Sequence, residues 1–382
     1  MKKSIENDLS KSLKNRKWYN PNSYTTLDAT ICFFVTMLLF LIYDFVIGYL
    51  VRYLLNFTND YYLLSTIMLI ISQGTIFLIA FLFSTIKKVP LFSGGGYRYK
   101  FEIVDILFAV LLTLGIYCVF NATHYAFTDD IYYSYYGEGF EAILGANDSY
   151  DYSNYFFAFL YVYILTPIVP AICEEILFRG VILMGYSGKG PLFCIITSSI
   201  IFALMHGNFQ QVILQFVGGL AICVVVYITK NFLIGAIMHF VNNFCVQVLY
   251  VLQMSYLSSA PFADMFIDAF YIIYGIIFLI ISVIYFGKRL LNNQKLSLQN
   301  KKPFDNYKDT VACISKTTYC NEKYEIVKMS DVDFSKLSTE SDNVFLYKGR
   351  FHKLNNSKNK ILEIILFIFG AIFMGLCLFL SL

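Results

Sequence analysis

Long stretches of apolar residues, separated by polar segments, run along most of the chain. At about 1.5 Å per residue, nine of them are long enough to form helices that cross or enter a bilayer. They lie near residues 29–51, 61–86, 103–123, 155–185, 191–206, 211–229, 232–252, 266–286 and 361–382. The pattern predicts an all-α fold, a polytopic transmembrane helix bundle with about eight core helices and one C-terminal helix.

The polar segments divide the chain into four regions. Residues 1–28 form a basic tail, residues 29–286 a membrane-embedded core, residues 287–360 a polar insert and residues 361–382 a C-terminal transmembrane helix. The insert has too few apolar residues to bury a sizeable core. We therefore expect it to be a loop or a small, marginally stable fold.

Composition agrees with a membrane protein. The chain has 382 residues, of which 58% are hydrophobic and 14% are charged, and its mean hydropathy is +0.61. Soluble domains contain about 45–50% apolar and about 25% charged residues. The net charge of +3 is small, and no nucleic-acid-binding pattern is present. Membrane lipid, and no nucleic acid, is therefore the expected environment.

The distribution of charge predicts the orientation of the chain. Basic residues cluster in the tail and at every second boundary between apolar runs, whereas the segment 124–154 is acidic. Because basic segments are retained in the cytoplasm, we expect a multi-pass protein of the cell membrane with a cytoplasmic N-terminus. The insert at 287–360 is then cytoplasmic, where a regulatory partner could bind it.

The apolar run at 155–185 contains three charged side chains, Glu174, Glu175 and Arg179. Each such charge at membrane depth costs at least about 2.5–3.5 kcal/mol on insertion scales. Glu175 and Arg179 are four residues apart and can pair on one helix face. Glu174 is rotated by about 100° from Glu175 and faces elsewhere, where it could act as a general base. The alternative is an ion-pair cluster that only holds helices together.

Two histidines in later apolar runs extend this pattern. His206 ends the run at 191–206, and His239 lies four residues before Asn243 in the run at 232–252. His239 and Asn243 share a helix face and could together bind an oxyanion. The alternative for His206 is a structural hydrogen bond, and for His239 and Asn243 polar contact between helices. Helical rise places Glu174 and both histidines at membrane depths where they could meet.

Together these residues resemble the three motifs of the CPBP intramembrane proteases. The motifs, on separate helices, are Glu174-Glu175-x-x-x-Arg179, Phe202-x-x-x-His206 and His239-x-x-x-Asn243. The family groups the CAAX prenyl endopeptidases, of the Ras-converting enzyme type, with bacterial proteins linked to bacteriocin processing and self-immunity. The resemblance covers about residues 150–250 by motif.

The resemblance implies a role for each motif residue. Glu174 and His206 would hold and activate a water molecule, and His239 and Asn243 would stabilise the oxyanion. Glu175 and Arg179 would support this geometry.

The resemblance leaves open whether a metal takes part. Glu174, His206 and His239 could supply the three protein ligands of a catalytic zinc ion. However, the chain has no His-Glu-x-x-His sequence, and Asn243 suits an oxyanion better than a metal. We therefore favour activation of water without a cofactor, and keep zinc as the alternative.

The function expected from these observations is hydrolysis of a peptide bond in or near the bilayer. The substrate would be a peptide, bacteriocin-like or of the CAAX type, or a membrane protein. A non-catalytic membrane scaffold or regulator with the same fold is the first alternative. A transporter or proton path, in which buried carboxylates and imidazoles relay charge, is the second.

Overall fold

The structure is a computed structural model. It describes residues 24–54, 61–87, 89, 91, 102–125, 160–206, 209–229, 231–246, 263–299, 318–320, 326–328, 344–347, 350–353 and 360–380. Most of the predicted basic tail at 1–28 and of the acidic segment at 124–154 therefore lies outside the described residues.

Nine helices make up the described part of the membrane bundle, which confirms the predicted all-α fold class. They are α1 (Thr26–Leu54), α2 (Tyr61–Lys87), α3 (Ile103–Tyr125), α4 (from Leu160 to Tyr186), α5 (Pro191–Met205), α6 (Phe209–Thr229), α7 (Phe232–Phe244), α8 (Ala263–Gln299) and α9 (Lys360–Leu380). Six helices, α1, α2, α3, α6, α8 and α9, are long and apolar enough to cross a membrane. The chain is therefore a multi-pass membrane protein.

Helix α4 changes its hydrogen-bonding pattern along its length. It is π-helical over Leu160–Leu165 and Ile176–Leu183 and α-helical over Thr166–Glu175 and Met184–Tyr186. The α-helical part carries two prolines, Pro167 and Pro170. Because proline has no backbone N–H, it removes helix hydrogen bonds, and π-helical turns are common where a helix carries functional groups.

Helix α8 and the segment after it extend beyond the predicted core. Helix α8 continues past residue 286 to Gln299, because most residues after Gly287 are good helix formers and Pro303 comes only later. Four short strands follow, β1 (Thr318–Cys320), β2 (Ile326–Lys328), β3 (Val344–Tyr347) and β4 (Arg350–Lys353). They pair as two antiparallel two-stranded sheets, β1 with β2 and β3 with β4.

Helix α4 lies at the centre of the bundle and is contacted by α1, α2, α5, α6 and α7. Every residue of its segment Ile176–Leu183 is buried. Other helices pair around it: α1 with α9, α3 with α8 and α5 with α6. A helix that is apolar all round and buried suits the interior of a large bundle. The charged side chains on α4 are therefore held inside the helix bundle.

Ion pairs join helix ends that the charge pattern places on one side of the membrane. Lys87 at the end of α2 pairs with Asp28 in the first turn of α1 at 2.6 Å. Lys189, just after α4, pairs with Glu363 in the first turn of α9, which also accepts a hydrogen bond from Thr26 at 3.1 Å. Each ion pair joins the end of one helix to the start of another. The C-terminal helix α9 is thereby attached to both α1 and the end of α4.

Candidate functional site

Glu175 and Arg179 form a buried ion pair at the centre of the bundle. Arg179 Nη1 lies 2.7 Å from Glu175 Oε1, and both side chains are 0% exposed. Their spacing of four residues brings the side chains to one face of α4, as the sequence indicates. The pair therefore places two opposite charges where water does not reach them.

Two further contacts fix the Arg179 guanidinium. Its Nη2 donates to the Gly219 carbonyl of α6 at 3.2 Å, and its Cζ lies 4.4 Å from the centre of the Phe202 ring of α5. A planar guanidinium can donate to a carboxylate and a carbonyl while it stacks on an aromatic ring. Arg179 thus ties α4, α5 and α6 together behind Glu175.

His239 of α7 joins this pair through Glu175. Its Nδ1 lies 2.9 Å from Glu175 Oε1. An ionised carboxylate only accepts hydrogen bonds, so Nδ1 carries the proton and donates it. Helix α7, which carries this ring, is capped at its start by the Asn231 side chain, which accepts a hydrogen bond from the Leu233 N–H at 3.0 Å. The two successive contacts, from Arg179 to Glu175 and from Glu175 to His239, therefore orient the imidazole.

Glu174 lies on the other side of His239. Its Oε1 accepts a hydrogen bond from Gln73 Nε2 of α2 at 2.8 Å. Its Oε2 lies 3.8 Å from His239 Nε2, which is too far for a hydrogen bond. Glu174 Oε2 is buried and has no hydrogen-bond partner among the described residues. A buried carboxylate oxygen thus faces an imidazole nitrogen across a narrow gap.

His206 lies directly after the last residue of α5, next to the same aromatic ring. Its Nδ1 lies 2.9 Å from the Phe202 carbonyl, to which it donates because a carbonyl only accepts. The Phe202 ring packs edge-on against both imidazoles, with centroids 4.9 Å from His206 and 5.6 Å from His239. His206 also interacts electrostatically with Glu174. In both histidines Nδ1 is engaged by the protein, which leaves Nε2 for a ligand.

Asn243 contacts the start of the α-helical part of α4. Its Nδ2 donates to the Thr166 carbonyl at 3.4 Å. In an unbroken α-helix that carbonyl would accept from the residue four positions later, but Pro170 has no N–H to donate. The proline thus frees a backbone acceptor, and the amide of Asn243 binds it. Pro170 and Glu174 are also four residues apart on α4, so they lie on the same face.

The structure thus places the predicted residues as follows. Glu175 contacts both Arg179 and His239 directly. Glu174 lies opposite His239. His206 is linked to this group through the Phe202 ring. Asn243 is one helical turn from His239 and contacts α4 at Thr166.

Sequence reasoning missed two contributors to this arrangement. Gln73 holds Glu174, and the Phe202 ring lies among Arg179 and both histidines. Gln73 is a polar residue within the apolar run at 61–86, and this position could have indicated a buried polar contact. The role of the Phe202 ring had no separate signal, because phenylalanine is common throughout the apolar runs.

The donor types at the site match those of a catalytic zinc ion, but the arrangement does not. Two imidazoles and a carboxylate are a common zinc ligand set. Among the described residues, however, no group of three His, Cys, Asp or Glu side chains is arranged to hold a metal. The side chains as placed instead leave a gap between Glu174 Oε2 and His239 Nε2.

The fold and the site together define a class of protein. It is a multi-pass membrane protein with two carboxylates and the His239 imidazole buried inside its helix bundle and the half-buried His206 imidazole beside them. Residues 156–245 match the model of the family described as type II CAAX prenyl endopeptidase Rce1-like. This match confirms the CPBP family prediction over that segment, whereas the bacteriocin branch is not confirmed.

The matched segment contains all three motifs and runs from α4 to α7. Comparison with curated proteins and with solved structures gave no match. At the level of the family, the match supports an intramembrane protease of the CAAX type, and therefore a hydrolase. Helices α1, α2, α3, α8 and α9 lie outside the matched segment.

Proposed function

We propose that the chain is an intramembrane endopeptidase in which Glu174 activates a water molecule for attack on a peptide bond. One observation carries this proposal: Glu174 Oε2, buried and without a partner among the described residues, faces His239 Nε2 at 3.8 Å. A buried polar atom without a partner is costly, typically about 1–3 kcal/mol. A water molecule in the gap would relieve this cost and is the nucleophile that hydrolysis needs.

In the proposed reaction Glu174 is the general base and then the general acid. Oε2 takes one proton from the water while the water oxygen bonds to the carbonyl carbon of the scissile peptide. The tetrahedral intermediate then collapses, the carbon–nitrogen bond breaks, and Glu174 returns the proton to the leaving nitrogen. General acid–base catalysis of this kind contributes about 10²–10⁴-fold to a rate. The products are a carboxyl terminus and an amine.

His206 would bind the water, and His239 and Asn243 would stabilise the developing negative charge. His206 Nε2 accepts a hydrogen bond from the water. His239 as an imidazolium donates from Nε2 to the oxyanion, and the second amide hydrogen of Asn243 does the same. With His239 as an imidazolium, the charges of Glu174, Glu175, Arg179 and His239 sum to zero, so the buried cluster carries no net charge. Glu175 and Arg179 keep the imidazole oriented.

The substrate class follows from the site and the family. The catalytic groups lie within the membrane bundle, so the scissile bond must reach them from a peptide or protein tail at the bilayer. The family name points to a C-terminal CAAX sequence that carries a prenyl group, and such a lipid would hold the tail at the membrane. We propose this substrate class, with an unmodified peptide of the bacteriocin type as the alternative.

The proposed setting is the cell membrane with the N-terminus in the cytoplasm. The contacts Lys87–Asp28 and Lys189–Glu363 join basic helix ends to helix starts on what would be the cytoplasmic side. The positive-inside rule supports this orientation. Water would then reach Glu174 from the cytoplasmic side of the bundle.

Reconstituted protein tests the proposed function. Two fluorogenic peptides of one sequence, one farnesylated at a CAAX cysteine and one unmodified, are added to proteoliposomes. Wild type should cleave the farnesylated peptide, and Glu174→Gln should not. Glu102→Gln, the same change at an exposed carboxylate, is the matched control and should cleave like wild type. Cleavage of only the unmodified peptide would overturn the CAAX substrate class, and retained cleavage by Glu174→Gln would overturn the mechanism.

The same preparation tests the alternative with zinc. Metal content is measured on purified wild type and on His239→Ala. We expect less than stoichiometric zinc in both, and cleavage that survives a chelator. One zinc ion per chain that is lost in His239→Ala would overturn the proposal of a site without metal.

A further inference from the structure

Gln73 is a buried amide in an otherwise apolar helix, outside the segment that matches the family model. It lies on α2 and is 7% exposed. Burying an amide costs about 1–3 kcal/mol unless it is hydrogen-bonded. Its Nε2 donates to Glu174 Oε1 at 2.8 Å. In α4, Glu175 is paired with Arg179, whereas Glu174 is not. Glu174 is therefore held by Gln73, a residue from another part of the chain.

The chemistry of the two groups fixes how the Gln73 amide is turned. A carboxylate can only accept, so the amide nitrogen and not the amide oxygen must face Glu174. The amide oxygen of Gln73 is buried and has no hydrogen-bond partner among the described residues. The contact therefore serves Glu174, because Gln73 leaves its own oxygen unsatisfied to make it.

The hydrogen bond also makes the two oxygens of Glu174 unequal. Oε1 is occupied by Gln73, whereas Oε2 faces His239 Nε2 at 3.8 Å. Without Gln73 the carboxylate could rotate about its last bond and present either oxygen to the gap, since this torsion is broad. With Gln73 the carboxylate plane is fixed and Oε2 alone is directed at the reacting water.

We propose that Gln73 is a positioning residue for the general base Glu174, an inference that rests on the proposed function. It acts through Glu174 and touches neither the water nor the substrate. Displacement of a reacting group by about 1 Å can lower a rate by about 10²-fold. Loss of the Gln73 amide should therefore lower kcat by about 10- to 100-fold and leave KM within about twofold, because substrate binding does not involve it.

The test compares three variants on α2 in proteoliposomes with the farnesylated peptide. Gln73→Met keeps the length of the side chain but cannot donate, and Gln73→Glu keeps its shape but has no amide hydrogen. Thr75→Val is the control, because the Thr75 hydroxyl donates to the Ile71 carbonyl of its own helix. We expect kcat to decrease in both Gln73 variants and to stay at the wild-type value in Thr75→Val. Equal kcat in Gln73→Met and wild type would overturn the inference.

Infrared spectroscopy separates this inference from the proposed function and needs no substrate. The carboxylate band of Glu174 is the band that disappears in Glu174→Gln. It should shift in Gln73→Met and stay in place in Thr75→Val. If Gln73→Met does not fold, Gln73→Glu gives the same comparison after subtraction of its own new band. An unshifted band would show that Gln73 only joins helices, whereas a shifted band with full activity in Glu174→Gln would overturn the proposed function alone.

Discussion

Glu175 and His239, 64 positions apart in the chain, are joined by a hydrogen bond of 2.9 Å inside the helix bundle. The contact places a proton on Nδ1 of His239, and Nε2 of the same ring lies 3.8 Å from Glu174 Oε2. Two adjacent carboxylates of one helix therefore make different contacts. Glu175 binds the His239 imidazole and pairs with Arg179, whereas Glu174 accepts a hydrogen bond from Gln73.

Removal of the Arg179 charge should lower the free energy of unfolding more than removal of an exposed charge does. Arg179→Met leaves Glu175 buried at 0% exposure without its cation, and such a loss costs about 3–5 kcal/mol. Glu102→Gln breaks a pair in which Glu102 is 57% exposed, and exposed pairs contribute about 0–1 kcal/mol. Thermal unfolding in one detergent compares the two variants. An equal drop in unfolding temperature in both variants would contradict the stabilising role of the buried pair.

Two neighbouring glycines of α6 offer a matched pair of substitutions. A Cβ at Gly219 would lie 2.9 Å from the Phe202 ring and 3.7 Å from Arg179 Nη2, whereas a Cβ at Gly218 meets nothing within 4 Å. Gly219→Ala should displace the ring that packs against both histidines and should lower kcat by about 10-fold or more, as small misplacements do. Gly218→Ala should retain activity and gain up to about 1 kcal/mol in helix propensity.

Peptide cleavage and thermal unfolding of both glycine variants provide the measurement. The contrast between them is the result that matters, since both changes add the same methyl group. Loss of activity in Gly218→Ala, or full activity in Gly219→Ala, would contradict the close packing around Phe202.

Pro170→Ala should stabilise the helix and impair the site. An alanine N–H could bond the Thr166 carbonyl, which Asn243 Nδ2 contacts at 3.4 Å, and proline within a helix costs about 3 kcal/mol. The alanine N–H would then compete with the Asn243 amide for the Thr166 carbonyl and weaken its orientation. We expect a higher unfolding temperature together with a lower kcat. A lower unfolding temperature with unchanged kcat would show that the proline serves packing alone.

The sequence predicts the helices and the nearest contacts of the site, because these depend on local periodicity. Apolar runs predict the nine helices, and the spacing of four residues predicts the pair of Glu175 with Arg179. The contacts of Gln73 with Glu174 and of Glu175 with His239 could not be predicted. They depend on how distant helices pack, and no spacing along the chain reports that.

The π-helical parts of α4 were also beyond prediction. Pro167 and Pro170 indicate a disturbed helix, but the residues of Ile176–Leu183 have an ordinary apolar composition. Their hydrogen-bond pattern is set by the surrounding helices. The extension of α8 to Gln299 was missed for a simpler reason, since the apolar run ends before the helix does.

Cleavage of the farnesylated peptide in water enriched in ¹⁸O tests the central claim most directly. Wild type should place ¹⁸O in the new carboxyl terminus, and Glu174→Gln should lower the rate at least about 10²-fold while the protein stays folded. The Gln side chain at 174 can still accept the hydrogen bond from Gln73, so only the base is lost. Cleavage by Glu174→Gln at the wild-type rate, or product without ¹⁸O, would contradict the account.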